Sequence, residues 1–396
     1  MALTNLPDQK TPARPVEITF AAETGLPSAN QEVLLIGHAA VGTPTSGLYT
    51  VNSVANSGDY QAAKTEAEAK WGADSEIVKM ILAAIKANQD TGIYVQLKAV
   101  ALASTDTGFG SLDAALTAVQ DVKAEFVVSP YDGTDNTTRN KLKETAQIMS
   151  GPHRPANNQF GTIGVVFNRD EADPTQLPEF DTQYVMGIWM PDSAAPDYSI
   201  GEMAAACAAK IASNVAPFNP LDDVTINGIA APELETDWIT VGFALESEAA
   251  LTQGWAPLRV KPNGEVAFVR TVTGRLSADG SGSPVVTAYY DVQDFQVLYF
   301  WRKTVYTRLS QPDFKRRKAS ATTAREILAE LIRLAREFEN QNMFQAVSQL
   351  SKQFQVERSS SDRHRFDVKT PVNVIPGLHV IATNIEATTE FDELSI

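Results

Sequence analysis

Apolar positions along the chain recur first at alternate places and then every third or fourth residue. Val16, Ile18 and Phe20 alternate with Glu17 and Thr19, which is the period of a half-buried strand. Pro7, Pro12, Pro15 and Pro27 surround them, oppose helix and keep the leader extended. No hairpin partner follows nearby, and a lone strand is unstable. The pattern therefore predicts pairing with something distant, in this chain or in another.

From Val33 the pattern becomes that of an α/β protein. Val33-Leu34-Leu35-Ile36 is a continuous apolar run, as in a buried strand, and residues 75–87 place Ile77, Val78, Ile81, Leu82 and Ile85 on one helical face. Strands are predicted at 93–102, 126–128, 163–167 and 184–189. Helices are predicted at 112–122 and 137–149, the second opened by the capping residues Asp135 and Asn136. This alternation predicts a layered sheet with helices packed against it.

Residues 200–213 form an alanine-rich helix that Asn214, Pro217 and Pro220 bring to an end. Asn263-Gly264 supply a left-handed turn between 258–260 and 266–269, so a hairpin is expected there. Residues 285–300 are rich in β-branched and aromatic side chains and read as β structure. The helix at 323–340 carries Ile327, Leu328, Leu331, Leu334 and Phe338 as its stripe. Residues 377–385 predict a final strand built on Leu378, Val380 and Ile381, followed by an acidic tail. Like the first strand, it lies beside a chain end.

The 396 residues, 43% of them hydrophobic and 20% charged, suffice for at least one large core without disulfides or metals. The 33 Lys and Arg against 48 Asp and Glu give a net charge of −15, which repels nucleic acid and anionic membrane unless basic residues are segregated. They are: residues 301–365 hold 14 basic against 7 acidic side chains, leaving 19 against 41 elsewhere. Lys315-Arg316-Arg317-Lys318 is the densest basic run. It reads as a solvated loop or as an electropositive patch for an acidic partner. Cys207, the single cysteine, sits among alanines and reads as a small buried helix residue. No signal-like N-terminus and no apolar stretch of about 20 residues is present, so residence in a reducing cytosol is expected.

Chemistry-bearing patterns are sparse. His38, His153, His364 and His379 lack ligand spacing to carboxylate, Cys or His, so no metal is expected. The Gly37-to-Thr43 loop follows a strand as phosphate loops do, but lacks a Gly-Lys-Ser/Thr terminus, and Gly108-Phe109-Gly110 lacks the third glycine of a dinucleotide fingerprint. No Gly-x-Ser-x-Gly elbow occurs. Asp222-Asp223, Glu390 and Glu393 read as solvated charge. Neither a catalytic residue nor a cofactor is predicted.

Several stretches, taken in order, resemble contractile tail sheath proteins of bacteriophages, of the compact Mu-like type, related to tailocin and injection-system sheaths. These are the arm and strand from Arg14 to Phe20 with 31–37; Lys70-Trp71-Gly72-Ala73-Asp74-Ser75 before the Met80-bearing helix, where Ala73-Asp74 departs from a usual glycine; Pro220-Leu221 and Asn227-Gly228-Ile229; the hairpin at 260–273; Tyr290-Asp291-Val292; and Leu298-Tyr299-Phe300-Trp301-Arg302, Arg308, the basic turn, the helix to Asn340 and residues 356–366.

The resemblance implies a non-enzymatic subunit, with an α/β fold and α+β elements in its C-terminal half. Hexameric rings stack around a rigid tube, and their contraction drives it through a host envelope. It implies an N-terminal arm at 1–24, an outward-facing α/β domain at 25–195, a tube-proximal core at 196–374 and a C-terminal strand and arm at 375–396. Val16, Ile18, Phe20, Leu378, Val380 and Ile381 would then be intersubunit strand positions. Lys315, Arg316, Arg317 and Lys318 would face an acidic tube with Arg325 and Arg336, which lie within about 20° of each other on one helix. The implied partners are further copies of the chain, the tube, baseplate and tail terminator proteins, with no nucleic acid or membrane. Assembly would occur in the host cytoplasm and end in the virion tail. Alternatives are a small-molecule or nucleotide-binding α/β protein or enzyme, resting on the Gly37 turn, or another component of a contractile machine.

Overall fold

The computed structural model describes residues 31–40, 47–51, 60–89, 95–104, 109–150, 161–169, 173–190, 197–230, 241–261, 263–274, 291–360 and 364–379, with 93 and 171. The expected first strand at 16–20 lies outside them. So do Val380 and Ile381.

The continuous apolar run at Val33 forms β1 (Glu32–His38), which is buried on both faces. Val33 and Leu35 join one core while Leu34 and Ile36 join another, so alternate side chains serve opposite layers. The same alternation runs through β3 (Gln96–Leu102), β4 (Phe126–Asp132) and β5 (Ile163–Asn168). With β2 (Tyr49–Thr50), β6 (Val185–Trp189), β7 (Thr225–Ala230), β8 (Trp255–Val260) and β9 (Glu265–Phe268), they form a nine-stranded sheet. Its order is β2-β3-β1-β4-β5-β6-β8-β9-β7. The pairs from β3 through β8 are parallel, while β2 and the β8-β9-β7 end are antiparallel. The sheet therefore crosses residue 195 without a break.

Helices cover both faces. On one lie α1 (Tyr60–Trp71), α2 (Glu76–Lys86) and α5 (Ile200–Ala212); on the other lie α3 (Phe109–Ala118) and α4 (Asn136–Met149). Asp135 caps α4 by accepting from the Thr137 and Thr138 amides, as its position predicted. Ser199 and Glu202 form a capping box at α5, whose alanines let it sit wholly buried. Cys207 is buried there, and burial pushes its thiol pKa far up, which leaves it inert. A further helix, α6 (Val241–Thr252), precedes the β8–β9 hairpin, whose turn uses Gly264 at φ +78°.

Residues 292–309 correct one sequence expectation. They form a helix, α7 (Val292–Leu309), and not β structure. Val292 and Phe295 of this helix enter the sheet core, while Val297, Phe300 and Trp301 enter a second core. Two apolar faces on one helix merge into a nearly continuous hydrophobic run, which hides the 3.6-residue period.

The second core is helical and aromatic. A short α8 (Pro312–Lys315) leads to α9 (Ala321–Asn340), whose Ile327, Leu331, Leu334 and Phe338 face Phe300, Trp301 and Phe344. Trp301 meets Phe338 edge-on at 5.2 Å, and Phe338 stacks on Phe344 at 4.9 Å. Each such ring contributes about 1.5–3 kcal/mol by burial. Beyond α10 (Val347–Leu350), β10 (Gln355–Arg358) and β11 (Phe366–Lys369) form a separate two-stranded sheet. Residues 377–379 have no strand pairing among the described residues, where the sequence predicted the start of a final strand. No described helix is long and apolar enough to cross a membrane.

Candidate assembly surfaces

The basic corner between α7 and α9 is held by ion pairs beneath it. Arg308, in the last turn of α7, donates through Nε to Glu330 Oε1 at 2.7 Å and through Nη1 to both Asp313 oxygens at 3.0 Å, with its guanidinium 4.6 Å from the Phe314 ring. Burial would raise the Glu330 pKa, but hydrogen bonds from Arg333 and Arg308 hold it below the usual range.

The predicted tube-facing residues divide into two groups on this corner. Arg317 pairs with Glu326 and donates to the Asp313 carbonyl, so its charge is already answered within the chain. Arg316, Lys318, Arg325 and Arg336 are exposed and have no ion pair among the described residues. Lys315 ends α8. Arg333 is bound to Glu330 and Glu337 at 2.9 and 3.0 Å, as their spacing predicted.

The β10–β11 hairpin has one polar and one partly apolar face. Gln355, Glu357, Asp367 and Lys369 are exposed on the first, while Val356 and Phe366 are half-buried on the second, over the α9 core. Val368, paired with Val356, remains 40% exposed on the apolar side. Neither outer edge of the hairpin pairs with another strand among the described residues.

Residues 373–379 are fixed onto the body. Gln345 and Ile375 amides donate to the Asn373 and Met343 carbonyls at 2.9 and 3.0 Å. A Cβ at Gly377 would stand 2.7 Å from Pro220 Cγ, so glycine permits this approach. His379 Nδ1 then lies 2.6 Å from Asp222 Oδ2 and its Nε2 3.2 Å from Asp291 Oδ2. Hydrogen bonds to Asp222 and Asp291 raise the His379 pKa to about 9. Asp291 is buried, yet His379 and Arg270, which binds it at 2.7 and 2.8 Å, hold its pKa down. Beside it, burial and then the Asp291 charge push Asp294 up to about 7. Leu378 is 72% exposed, next to a cleft of about 230 Å³ lined by Phe218, Asp294 and Val297. The contacts among His379, Asp222 and Asp291 span 157 and 88 residues, and sequence spacing carries no signal for them.

The Gly37 turn has a packing explanation. A Cβ there would lie 2.6 Å from Met80 Sδ and 3.1 Å from Ile77 Cα, so glycine lets α2 close on β1. Glu76, in the first turn of α2, accepts from the His38 amide at 3.2 Å and meets His38 Nδ1 at 2.5 Å, while Nε2 meets Tyr131 Oη at 3.0 Å. The Glu76 carboxylate thus takes up the His38 amide at the end of the strand. Among the described residues no group of three potential metal ligands occurs.

Residues 107–274 match the family model of the phage tail sheath protein central domain. This stretch, somewhat under half of the chain, resembles a tail sheath central domain. The same fold occurs in the sheath tail protein of Listeria innocua at TM-score 0.62 and 11% identity, over 89% of this chain and 94% of that one. The anti-feeding prophage helical sheath in its contracted state gives TM-score 0.61 and 10% identity over 96% and 100%. The sheath tail protein of Desulfitobacterium hafniense gives 0.57 and 11% over 87% and 93%. No curated protein matches the sequence. At such identities the likeness reports the fold, and it extends far beyond the matched stretch.

Proposed function

We propose that this chain is the repeating, non-enzymatic subunit of a sheath that polymerises as stacked hexameric rings around a tail tube and contracts to drive the tube through a host envelope. The observation that carries the assembly step is the β10–β11 hairpin. Two strands alone are marginal in water, and this pair has no partner strand at either edge among the described residues and an apolar face left incomplete at Val368. The chain also carries two strand-patterned segments beside its ends, one with Val16, Ile18 and Phe20, the other with Leu378, Val380 and Ile381. Strands from neighbouring copies, added to the two edges, complete the sheet through main-chain hydrogen bonds. Their alternating apolar residues continue the face of Val356, Phe366 and Val368 over α9.

Arg316, Lys318, Arg325 and Arg336 are the charges left over for a second partner. On a chain of net charge −15 they supply a local positive surface suited to an acidic tube. Baseplate and tail terminator proteins would meet the ends of such a polymer, formed in the host cytoplasm and carried in the virion tail. The nucleotide-binding reading has less to rest on at Gly37, where packing explains the glycine and Glu76 binds the His38 amide that follows it.

Sedimentation and negative-stain microscopy of the purified chain test this reading. Large assemblies or tubes at high concentration are expected. A strictly monomeric species under all conditions, with turnover of a small substrate, overturns it.

A further inference from the structure

Gln31 and His379, far apart in sequence, both touch the start of α7. Gln31 is buried, and its Oε1 accepts from Gln296 Nε2 at 2.8 Å. Gln296 also donates to the Ile211 carbonyl at the end of α5, at 3.1 Å. At the next residue the Glu32 amide donates to Glu125 at 2.6 Å, and the Glu32 carboxylate meets both Lys98 and Lys123 at 2.5 Å. At the other end His379 is held by Asp291, the N-cap of the same helix, and by Asp222. Asp291 and Gln296 are five residues apart, which is about 7.5 Å along the helix axis.

We propose that the start of α7 mounts both Gln31 and the segment 374–379, and that the contact of His379 with Asp222 and Asp291 is a catch that holds this segment on the body. The inference rests on the assembly reading above and adds to it a point at which the C-terminal segment is fixed.

Three features make the catch separable from the fold. It is made by side chains alone, and none of its three residues lies in a strand of the sheet. It joins three parts of the chain, namely the turn before β7, the cap of α7 and the segment 374–379. It is also ionic: the charged groups facing His379 are Asp222 from that turn, Arg270 from the segment after β9, and Asp291 with Asp294 from α7. A cation at position 379 therefore answers two carboxylates, one of which already holds Arg270. Removing that cation takes the His379 partner from Asp222 and leaves the segment held by Val374 in the helical core, the bonds at 373–375 and Gly377 against Pro220. On the N-terminal side the corresponding bond is neutral, between two buried amides. The two mounts thus differ in kind, and only the C-terminal one is released by loss of charge.

Hydrogen exchange by mass spectrometry on the full-length chain, with His379→Gln, His379→Lys and Asp222→Asn, tests this directly. In the unsubstituted protein amides of 374–379 should be protected. His379→Gln and Asp222→Asn should speed their exchange at least tenfold while 31–38 and 292–309 stay unchanged. His379→Lys should restore part of the protection. Tube formation by microscopy is read on the same samples, and the released variants should form fewer or irregular tubes. Unchanged exchange at 374–379 in His379→Gln overturns the catch whatever the tubes do. Global loss of protection in both His379→Gln and Asp222→Asn would also overturn it, by showing that the contact belongs to the folded core. If even the unsubstituted protein forms no tubes, the assembly reading fails separately, while exchange still decides whether the catch exists.

Discussion

Arg308 Nε lies 2.7 Å from Glu330 Oε1, joining the last turn of α7 to the middle of α9 beneath the exposed basic corner. Both side chains are more than three-quarters covered, and Asp313 completes the set. Replacing Arg308 with Met should lower stability by about 1.5–3 kcal/mol, the range for hydrogen bonds to charged groups. Denaturant unfolding followed by Trp fluorescence checks it, since Trp301 lies in the same helix.

The basic run divides by partner. Charge reversal at Arg316 and Lys318, or at Arg325 and Arg336, should weaken binding to a purified tube, most strongly at low salt, and leave stability within about 0.5 kcal/mol. Reversal at Arg317 should instead place like charge against Glu326 and loosen the α8–α9 turn. Co-sedimentation across a salt series separates the two cases, and equal effects from all five positions would contradict the division.

His379 gives the chain a pH dependence with a definite sign. Its pKa is raised from 6.5 to about 9, so its contribution is complete below about 6.5 and is lost as pH rises through 9. Asp294 and Glu125, raised to about 7, weaken the fold from their ordinary ranges up to neutrality and add little beyond it. Between pH 7.5 and 9.5 the unfolding midpoint should therefore fall, and His379→Gln should flatten that slope. A slope unchanged by the substitution would assign it to other groups.

At Gly37 the expectation concerns packing. Gly37→Ala should lower stability by about 1–3 kcal/mol, because the new methyl group meets Ile77 backbone at 3.1 Å. Nucleotides should leave the melting temperature of the unsubstituted protein unchanged, and a concentration-dependent rise would restore the ligand-binding alternative.

The α/β half was legible because its strands are short continuous apolar runs and its helices carry a clear stripe and caps. Glu32–His38, Gln96–Leu102 and Asn136–Met149 fall within a few residues of expectation. The period failed at Val292–Leu309, where one helix serves two cores and its apolar faces run together. The hairpin at 355–369 offers only four-residue strands, too short for alternation to stand out. Of the site, the basic run was visible as composition, but Arg317 and Glu326 are nine residues apart across a turn, and their pairing depends on how α8 meets α9. The junction of His379, Asp222 and Asp291 exists only through tertiary structure.

Removing residues 1–22 should leave a folded, soluble monomer that does not polymerise, because the described residues already bury extensive sheet and helical cores. Circular dichroism and sedimentation read the two properties independently. A truncated chain that fails to fold would place the strand in its own subunit's core.

The most direct measurement is a cryo-EM reconstruction of the assembled polymer at a resolution that traces the main chain. Strands from neighbouring copies, one bearing Val16, Ile18 and Phe20 and one bearing Leu378, Val380 and Ile381, should flank β10 and β11 in a four-stranded sheet. Bare hairpin edges, or both terminal strands folded back onto their own subunit, would contradict assembly by strand exchange.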